Sequence, residues 1–252
     1  MPVSRLLLAL ELRRWRRAGR RAVLWWRDDD ARGPTPALAR LLALSDRHGA
    51  PLTLAIVPDG EPQALGAVLA GRAKVCAIQH GVDHQNRKTG RQAGEFGPGM
   101  SREDIAVQLR AGWAQLEGLP GLLPAFAPPW NDLHPALPGA LRVAGFVGLS
   151  AFGELSAAIR PFRMDAHLDL MRWKTAVRFR GGDRFRRDLR AALALRRRQG
   201  RWDAPLGLLT HHLAHDEAAW RFLDGFLTWT VRRPEVEWAS LPDLLAAGET
   251  RR

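Results

Sequence analysis

Apolar runs of strand length alternate with segments of helical periodicity along the chain, a pattern that predicts repeated β-α units. The predicted strands are the short apolar runs at residues 22–27, 51–57, 74–79, 124–127, 145–150, 205–210 and 236–239. The predicted helices lie between and after them, at about 36–49, 60–70, 101–117, 135–144, 183–199, 214–231 and 241–247. Residues 151–182 have the least regular pattern, and His167, Asp169 and Trp173 within them have either a packing role or a functional one. Repeated β-α units favour a parallel sheet, either closed as a barrel or doubly wound.

The first apolar run ends in a cluster of charge, with Arg27 followed by Asp28, Asp29 and Asp30. Three adjacent carboxylates repel one another, and each raises the pKa of its neighbours unless a cation lies among them. An acidic turn that caps the next helix would also place aspartate here. Because histidines follow other predicted strands, we interpret the triplet as half of a metal-dependent hydrolytic site.

Residues able to do chemistry follow three further strands of the pattern, as His80 and His84, as Trp130 and Asn131, and as His211 and His212. The carboxyl ends of parallel strands meet at one rim, so these side chains are expected to converge there. Two histidines with one aspartate are a common ligand set for zinc or a related divalent ion. A neighbouring carboxylate can then act as general base, and His211 or His212 can act as general acid.

Length and composition fit a single globular domain over residues 1–252, with 46% hydrophobic residues. The formal net charge of +12 comes mainly from arginine, but no nucleic-acid-binding module is recognisable, so nucleic acid is not a predicted partner. The single cysteine, Cys76, cannot form an internal disulfide, so no oxidising compartment is implied.

Residues 1–21 combine a short apolar run with several arginines and predict an N-terminal amphipathic helix. The run is too short for a membrane span, and no small-residue cleavage site follows it. We therefore expect a cytoplasmic protein. The helix either closes one end of the domain or lies on an anionic membrane as a peripheral contact.

Four short motifs occur in order along most of the chain: WWRDDDA (25–31), HGVDH (80–84), FAPPWN (126–131) and LLTHH (208–212). Together they resemble the polysaccharide deacetylases, also called the NodB-homology or carbohydrate esterase family 4 domain, in a divergent bacterial branch. The resemblance implies a distorted (β/α) barrel of about seven parallel strands. It also implies a divalent metal ion, zinc in the first instance, and the removal of acetyl groups from N-acetylated sugars.

By position, the resemblance implies that Asp29 is the catalytic base and His211 the catalytic acid. The implied metal ligands are Asp30, His80 and His84. The residues expected to contact substrate lie at the ends of two motifs: Pro129, Trp130, Asn131 and His212. A shift of one residue, with Asp28 as base and Asp29 as ligand, stays open.

Ala127 stands where the family pattern has an arginine that would orient the base and contact the acetyl oxygen. Arg27, from the neighbouring strand, is a candidate replacement. The predicted function is deacetylation of an N-acetylated sugar or glycan in envelope or exopolysaccharide metabolism. The alternatives are a catalytically inactive barrel that binds glycan or a biosynthetic partner, and hydrolysis of another carbon–nitrogen bond such as a formyl or cyclic amide.

Overall fold

The computed structural model describes residues 2–153 and 163–249. Its strands are β1 (Ala22–Ala31), β2 (Leu52–Ile56), β3 (Val75–His80), β4 (Leu122–Ala127), β5 (Gly148–Leu149), β6 (Ala166–Asp169), β7 (Met171–Arg172), β8 (Arg178–Phe179), β9 (Leu206–Thr210) and β10 (Val236–Trp238). Its helices are α1 (Val3–Arg17), α2 (Pro36–His48), α3 (Leu65–Leu69), α4 (Arg102–Leu116), α5 (Leu137–Val143), α6 (Gly182–Arg198), α7 (Glu217–Val231) and α8 (Leu241–Glu249). All predicted elements are present. Of residues 151–182, predicted to be irregular, 154–162 lie outside the described residues, and three additional short strands form within 166–179.

Seven strands form a continuous parallel sheet in the order β5-β4-β3-β2-β1-β9-β6, and β10 pairs with the first residues of β1. The two edges of this sheet meet through the parallel bridges Leu149–Arg163 and Phe152–Ala166. The backbone N–H of Met164 also donates to the carbonyl of Leu149 at 3.0 Å. The sheet is therefore curled into a distorted barrel, and the predicted fold class is confirmed.

β1 lies in the middle of the sheet and buries side chains on both of its faces. Trp25 packs inside the barrel with residues of β2, β3 and β4. Trp26 lies on the other face, under the helices, and its indole N–H donates to a threonine of β9 at 2.8 Å. Since successive side chains alternate, Arg27 and Asp29 follow Trp25 towards the inside, and Asp28 follows Trp26 towards the outside.

The capping residues that the sequence indicates set both ends of α2 and the start of α4. The Thr35 side chain accepts from the N–H of Leu38 at 3.0 Å, and α2 ends at Gly49 with a left-handed φ of 61°. Ser101 and Asp104 form a reciprocal capping box at the start of α4. Each cap of this kind stabilises its helix by about 1 kcal/mol, so these ends are set locally.

α1 packs against α6 and covers part of the outer layer. Its buried face carries Leu8, Leu12 and Trp15. The buried carboxylate of Glu11 on the same helix pairs with the Arg197 guanidinium of α6 at 2.6 Å. These contacts support the interpretation of α1 as a helix that closes one side of the domain.

The opposite face of α1 exposes apolar side chains spaced one helical turn apart: Val3, Leu6, Leu7 and Leu10. Arginines occupy the last turn of the same helix. Peripheral contact of this helix with an anionic membrane stays a prediction. Within residues 2–153 and 163–249, no helix is both long enough and apolar enough to cross a bilayer.

Candidate active site and metal centre

The end of β1 separates its three aspartates into three environments. Asp28 and Asp29 are buried, with 0% and 2% of their surface exposed, whereas the Asp30 side chain is 31% exposed. Asp30 has a φ of 72°, in the left-handed region that aspartate adopts more readily than most residues. The pairing register between β1 and β2 shifts between Asp28 and Ala31. This irregularity interrupts the alternation of the strand and turns Asp30 to the barrel rim.

Asp30 meets two histidines at the rim. Its Oδ1 atom lies 3.2 Å from Nε2 of His80 and 3.2 Å from Nε2 of His84. The three ligand atoms all lie within 4.8 Å of one another. His80 ends β3, and its Nδ1 lies 2.9 Å from the carbonyl oxygen of Ala127, so a proton on Nδ1 leaves the Nε2 lone pair directed at the cluster.

The loop that carries His84 is held in place by a buried carboxylate. Oε1 of Glu95 accepts the backbone N–H groups of Val82, Asp83 and His84 at 2.9, 3.0 and 2.7 Å. His84 itself has a left-handed φ of 57°. Burial raises the pKa of Glu95, although the three N–H donors oppose this. Glu95 thus fixes the turn that brings the second imidazole to the rim.

The electrostatics of the cluster favour a cation. Burial by itself raises the pKa of the Asp30 carboxyl, but hydrogen bonds from His80 and His84 outweigh it and hold that pKa well below its usual range. Burial lowers the pKa of His80, yet the charges of Asp29 and Asp30 raise it overall. One carboxylate oxygen and two imidazole nitrogens form a donor set that fits a divalent cation such as zinc.

A buried arginine holds the second aspartate of the triplet. Arg27 is fully buried, its Nε lies 2.8 Å from Oδ1 of Asp29, and its Nη2 donates to Oδ2 of Asp29 at 3.0 Å. Nη2 also donates to Asn131 Oδ1 at 2.9 Å, and Nη1 donates to Ser150 Oγ at 2.6 Å. The guanidinium therefore reaches Asp29 from two residues earlier on the same strand. The prediction that Arg27 comes from a strand neighbouring that of Ala127 is wrong, because β2 and β3 separate β1 from β4.

His211, the predicted acid, lies just past β9 between two carboxylates. Its Nε2 is 4.0 Å from Oδ2 of Asp29, and its Nδ1 is 3.8 Å from Oδ1 of Asp169. The Trp173 ring packs edge-on against the imidazole at 4.5 Å, and its Nε1 donates to Asp169 Oδ2 at 2.6 Å. Burial raises the pKa of Asp169 against the opposing charge of His211.

His212, predicted to contact substrate, does not line the cleft and is buried beneath it. Its Nδ1 lies 2.5 Å from Oδ1 of Asp28, and Thr210 Oγ donates to Oδ2 of Asp28 at 2.6 Å. The physical reason is strand alternation: His211 follows the inner face of β9, so His212 follows the outer face with Thr210. The Asp28 carboxylate is occupied by these buried contacts, whereas Asp29 and Asp30 line the cleft.

The turn after β4 carries the other predicted substrate contacts. Trp130 and Asn131 both have left-handed φ values, 53° and 56°, and both line the cleft. The Trp130 ring is 39% exposed and lies 4.5 Å from the His84 ring. Pro129 was predicted to contact substrate as well. It is buried instead, because the turn after β4 packs its ring tightly against Gly81 in the turn after β3.

These side chains share one open cleft of about 1040 Å³. Its lining includes the Asp30–His80–His84 cluster together with Asp29 and His211. Such a volume is at the upper end of the range for small-molecule sites and accommodates a sugar unit.

No family model matches the sequence, and a search of curated proteins finds no match. Solved structures do match. A protein from Mycobacterium smegmatis described as a polysaccharide deacetylase aligns over 92% of each chain with a TM-score of 0.69 and 17% identity. A family 4 acetyl xylan esterase from Clostridium thermocellum, in complex with a cobalt ion, aligns over 91% of this chain and 96% of its own, with a TM-score of 0.53 and 16% identity.

The chain has the polysaccharide deacetylase fold. A third match is a mutant of a carbohydrate esterase family 4 pseudoenzyme, with a TM-score of 0.55, 17% identity, and coverage of 90% of this chain and 67% of the other. At these identities the likeness concerns the fold. The resemblance carried by the four motifs is confirmed at that level.

One residue that shapes this deacetylase-fold cleft, Glu95, is not among the sequence predictions. It lies in the loop at 85–100, where it is the one carboxylate and precedes the apolar Phe96, and this isolated pair was the available signal. Asp169, a candidate on sequence grounds, ends the four-residue strand β6 and lies 3.8 Å from His211.

Proposed function

We propose that the chain is a metal-dependent hydrolase that removes an acetyl group from the amide nitrogen of an N-acetylated sugar. The observation that carries this proposal is the convergence of the Asp30–His80–His84 cluster with Asp29 and His211 in one cleft. Structural neighbours described as a deacetylase and as an acetyl xylan esterase support the same class of reaction. We propose zinc as the ion, and envelope or exopolysaccharide metabolism as the setting.

A divalent cation held by the cluster supplies Lewis acidity towards an acyl oxygen and a water molecule. Asp29 adjoins the ligand Asp30 along the chain but stands outside the cluster, so it is available as general base for the proton of the attacking water. Arg27 contacts both carboxylate oxygens of Asp29 and fixes their position. Because a guanidinium keeps its proton, Arg27 orients the base and does not compete with it for the transferred proton.

The leaving amine needs a proton, and we assign its supply to His211. Its imidazole lies 4.0 Å from the base Asp29 on one side and 3.8 Å from Asp169 on the other. The Asp169 carboxylate stabilises the protonated imidazole and orients it, since Trp173 fixes Asp169 through the indole N–H. One proton is thus accepted at Asp29 and one is donated from His211 when the carbon–nitrogen bond breaks.

Two half-exposed tryptophans suit a sugar ring. Trp130 adjoins the ligand His84, and Trp173 adjoins His211, with 39% and 46% of their surfaces exposed. Flat apolar faces of this kind pack against the hydrogen-bearing faces of sugars. The Asn131 carbonyl oxygen is engaged by Arg27, which leaves its amide N–H2 group for substrate.

The test is acetate release from N-acetylglucosamine oligomers and lipid-linked sugars, with added zinc and with chelator. Asp29→Asn should lower the rate by about 10²- to 10⁴-fold, the usual contribution of a general base, while elemental analysis finds the metal content unchanged. Turnover of N-formyl sugars in the same assay distinguishes hydrolysis of another amide. No product from a broad panel, together with no bound metal, would overturn the proposal.

A second candidate is a catalytically inactive barrel that binds glycan. Ala127 in place of the pattern's arginine favours it, and one structural neighbour is a mutant of a family 4 pseudoenzyme. This alternative requires glycan binding to be equal in the wild type and in Asp29→Asn, with neither releasing acetate. The contacts of Arg27 with Asp29 argue for the enzyme, because they supply a guanidinium to the base by another route.

A further inference from the structure

The cleft is lined by charges of both signs. Within residues 2–153 and 163–249, the carboxylates of its lining are those already described, Asp29, Asp30 and Asp169. In the same part of the chain, the lysine and arginines of its lining come from one stretch: Arg172, Lys174, Arg178, Arg180 and Arg184. The five cations of this basic segment, residues 172–184, take no part in the proposed hydrolysis, so their charge needs a separate explanation.

The hairpin of β7 and β8 places two arginines directly across from each other. Arg172 pairs with Arg178 in its antiparallel register, and both side chains are exposed. Like charges in opposite positions of a strand pair destabilise it. Among the described residues, neither guanidinium lies within 4 Å of a carboxylate, in contrast with Arg180, whose Nη2 lies 2.8 Å from Asp188. An anion between the two guanidiniums would remove the repulsion.

The basic segment is connected to the catalytic groups. Trp173 lies between Arg172 and Lys174 in the chain, and its ring packs 4.5 Å from the His211 ring. Arg180 Nη1 donates at 2.9 Å to the backbone carbonyl of Asp169, the residue beside His211. A sugar that packs on Trp173 therefore lies beside these cations, and a charged substituent on that sugar would reach them.

We infer that the substrate carries a phosphate or diphosphate on or next to the N-acylated sugar, bound by the Arg172–Arg178 hairpin. The inference rests on the proposed function and specifies its substrate class. Guanidinium groups recognise phosphate through paired N–H donors, and two of them match the charge of a phosphate ester. A neutral glycan would leave the opposed arginines uncompensated. Nucleotide-linked and lipid-linked sugars share this chemistry.

The experiment compares kcat/KM for neutral N-acetylglucosamine oligomers with that for N-acetylglucosamine 1-phosphate, a uridine diphosphate sugar and a polyprenyl diphosphate sugar. The last two arms distinguish the sources of the phosphate. The variant is Arg172→Gln with Arg178→Gln, and the matched control is Arg16→Gln with Arg17→Gln on α1, which removes the same charge from an exposed surface. The preference of the wild type for phosphorylated over neutral sugar should fall about tenfold or more in the hairpin variant only.

Binding of N-acetylglucosamine 1-phosphate to the Asp29→Asn protein is measured by calorimetry with and without chelator. The comparison distinguishes phosphate bound by the hairpin from phosphate bound directly to a metal ion. We expect binding that weakens with added salt and falls about tenfold or more in the hairpin variant. Equal turnover and binding of neutral and phosphorylated sugars would overturn the inference and leave the deacetylase proposal standing. Hairpin-dependent binding with no turnover of any substrate would support the phosphate site and overturn the deacetylase.

Discussion

Replacing Arg27 with methionine tests whether this buried cation positions the base. The arginine is fully buried, and its guanidinium contacts Asp29, Asn131 and Ser150. Methionine keeps much of the volume but leaves Asp29 as a buried carboxylate without its cation. Removing one partner of a buried ion pair costs about 3–5 kcal/mol, so the free energy of unfolding should fall by about that amount. Denaturant titration measures it directly.

The same variant should lose turnover while keeping its metal. Arg27 is outside the Asp30–His80–His84 cluster, so elemental analysis should find unchanged metal content. A base displaced by about 1 Å slows the reaction about 100-fold, and this loss should appear in kcat more than in KM.

A double variant and a control separate the effect of Arg27 on the position of Asp29 from its effect on the stability of the fold. Adding Asp29→Asn to the Arg27→Met protein removes the orphaned charge, so the two destabilisations should not add, and a double-mutant cycle should show coupling of about 2 kcal/mol. Arg196→Met removes another buried arginine, bonded to the carbonyls of Ala204 and Pro205 away from the cleft, and should cost stability but not kcat. An Arg27→Met protein within about 1 kcal/mol of the wild type and with wild-type kcat would refute the reasoning.

Three further predictions concern other histidines. The double variant His80→Ala with His84→Ala should lose bound metal in elemental analysis, whereas Asp83→Asn in the same loop should keep it; equal metal content would contradict the ligand assignment. His212→Gln should lower the free energy of unfolding but leave kcat within a few-fold of wild type, because the ring lies beneath the cleft. A ~100-fold loss of kcat in folded protein would show that His212 does act in the reaction. Burial and the charge of Arg196 lower the pKa of His167 to about 4, so the unfolded state binds this proton first, and stability falls as the pH drops below about 6.5. Denaturant titrations at pH 7 and pH 5 should show the wild type losing about 1–2 kcal/mol more than His167→Gln, and equal losses would contradict the shift.

Much of the fold follows from local pattern. The side chains of Thr35 and Ser101 accept backbone N–H groups at helix starts, and Gly49 adopts the left-handed conformation that ends a helix. These boundaries can therefore be predicted from the sequence. The rim position of His80 and His211 follows from the rule that parallel strands share their carboxyl ends. These inferences need no knowledge of distant contacts.

The remaining features depend on geometry that short motifs do not encode. The sequence motif predicts His212 in the cleft beside His211, but alternation along β9 carries neighbouring residues to opposite faces. Asp169 receives no specific role from the sequence because the strand that presents it is too short to have a recognisable period. Glu95 binds three N–H groups of a turn 11 to 13 residues earlier, a contact that depends on the folded loop.

Because the backbone is left-handed at Asp30, the three consecutive aspartates Asp28, Asp29 and Asp30 lie in different environments, and a substitution at one can be made without altering the role of the others. Asparagine tolerates the same conformation, so Asp30→Asn changes the donor charge with little backbone penalty, whereas a β-branched residue there would strain the chain. Amide substitution at each successive position should therefore produce a different defect: in folding at the first, in rate at the second and in ion affinity at the third. A protein engineer could weaken or exchange the ion at this rim while leaving the barrel beneath it intact.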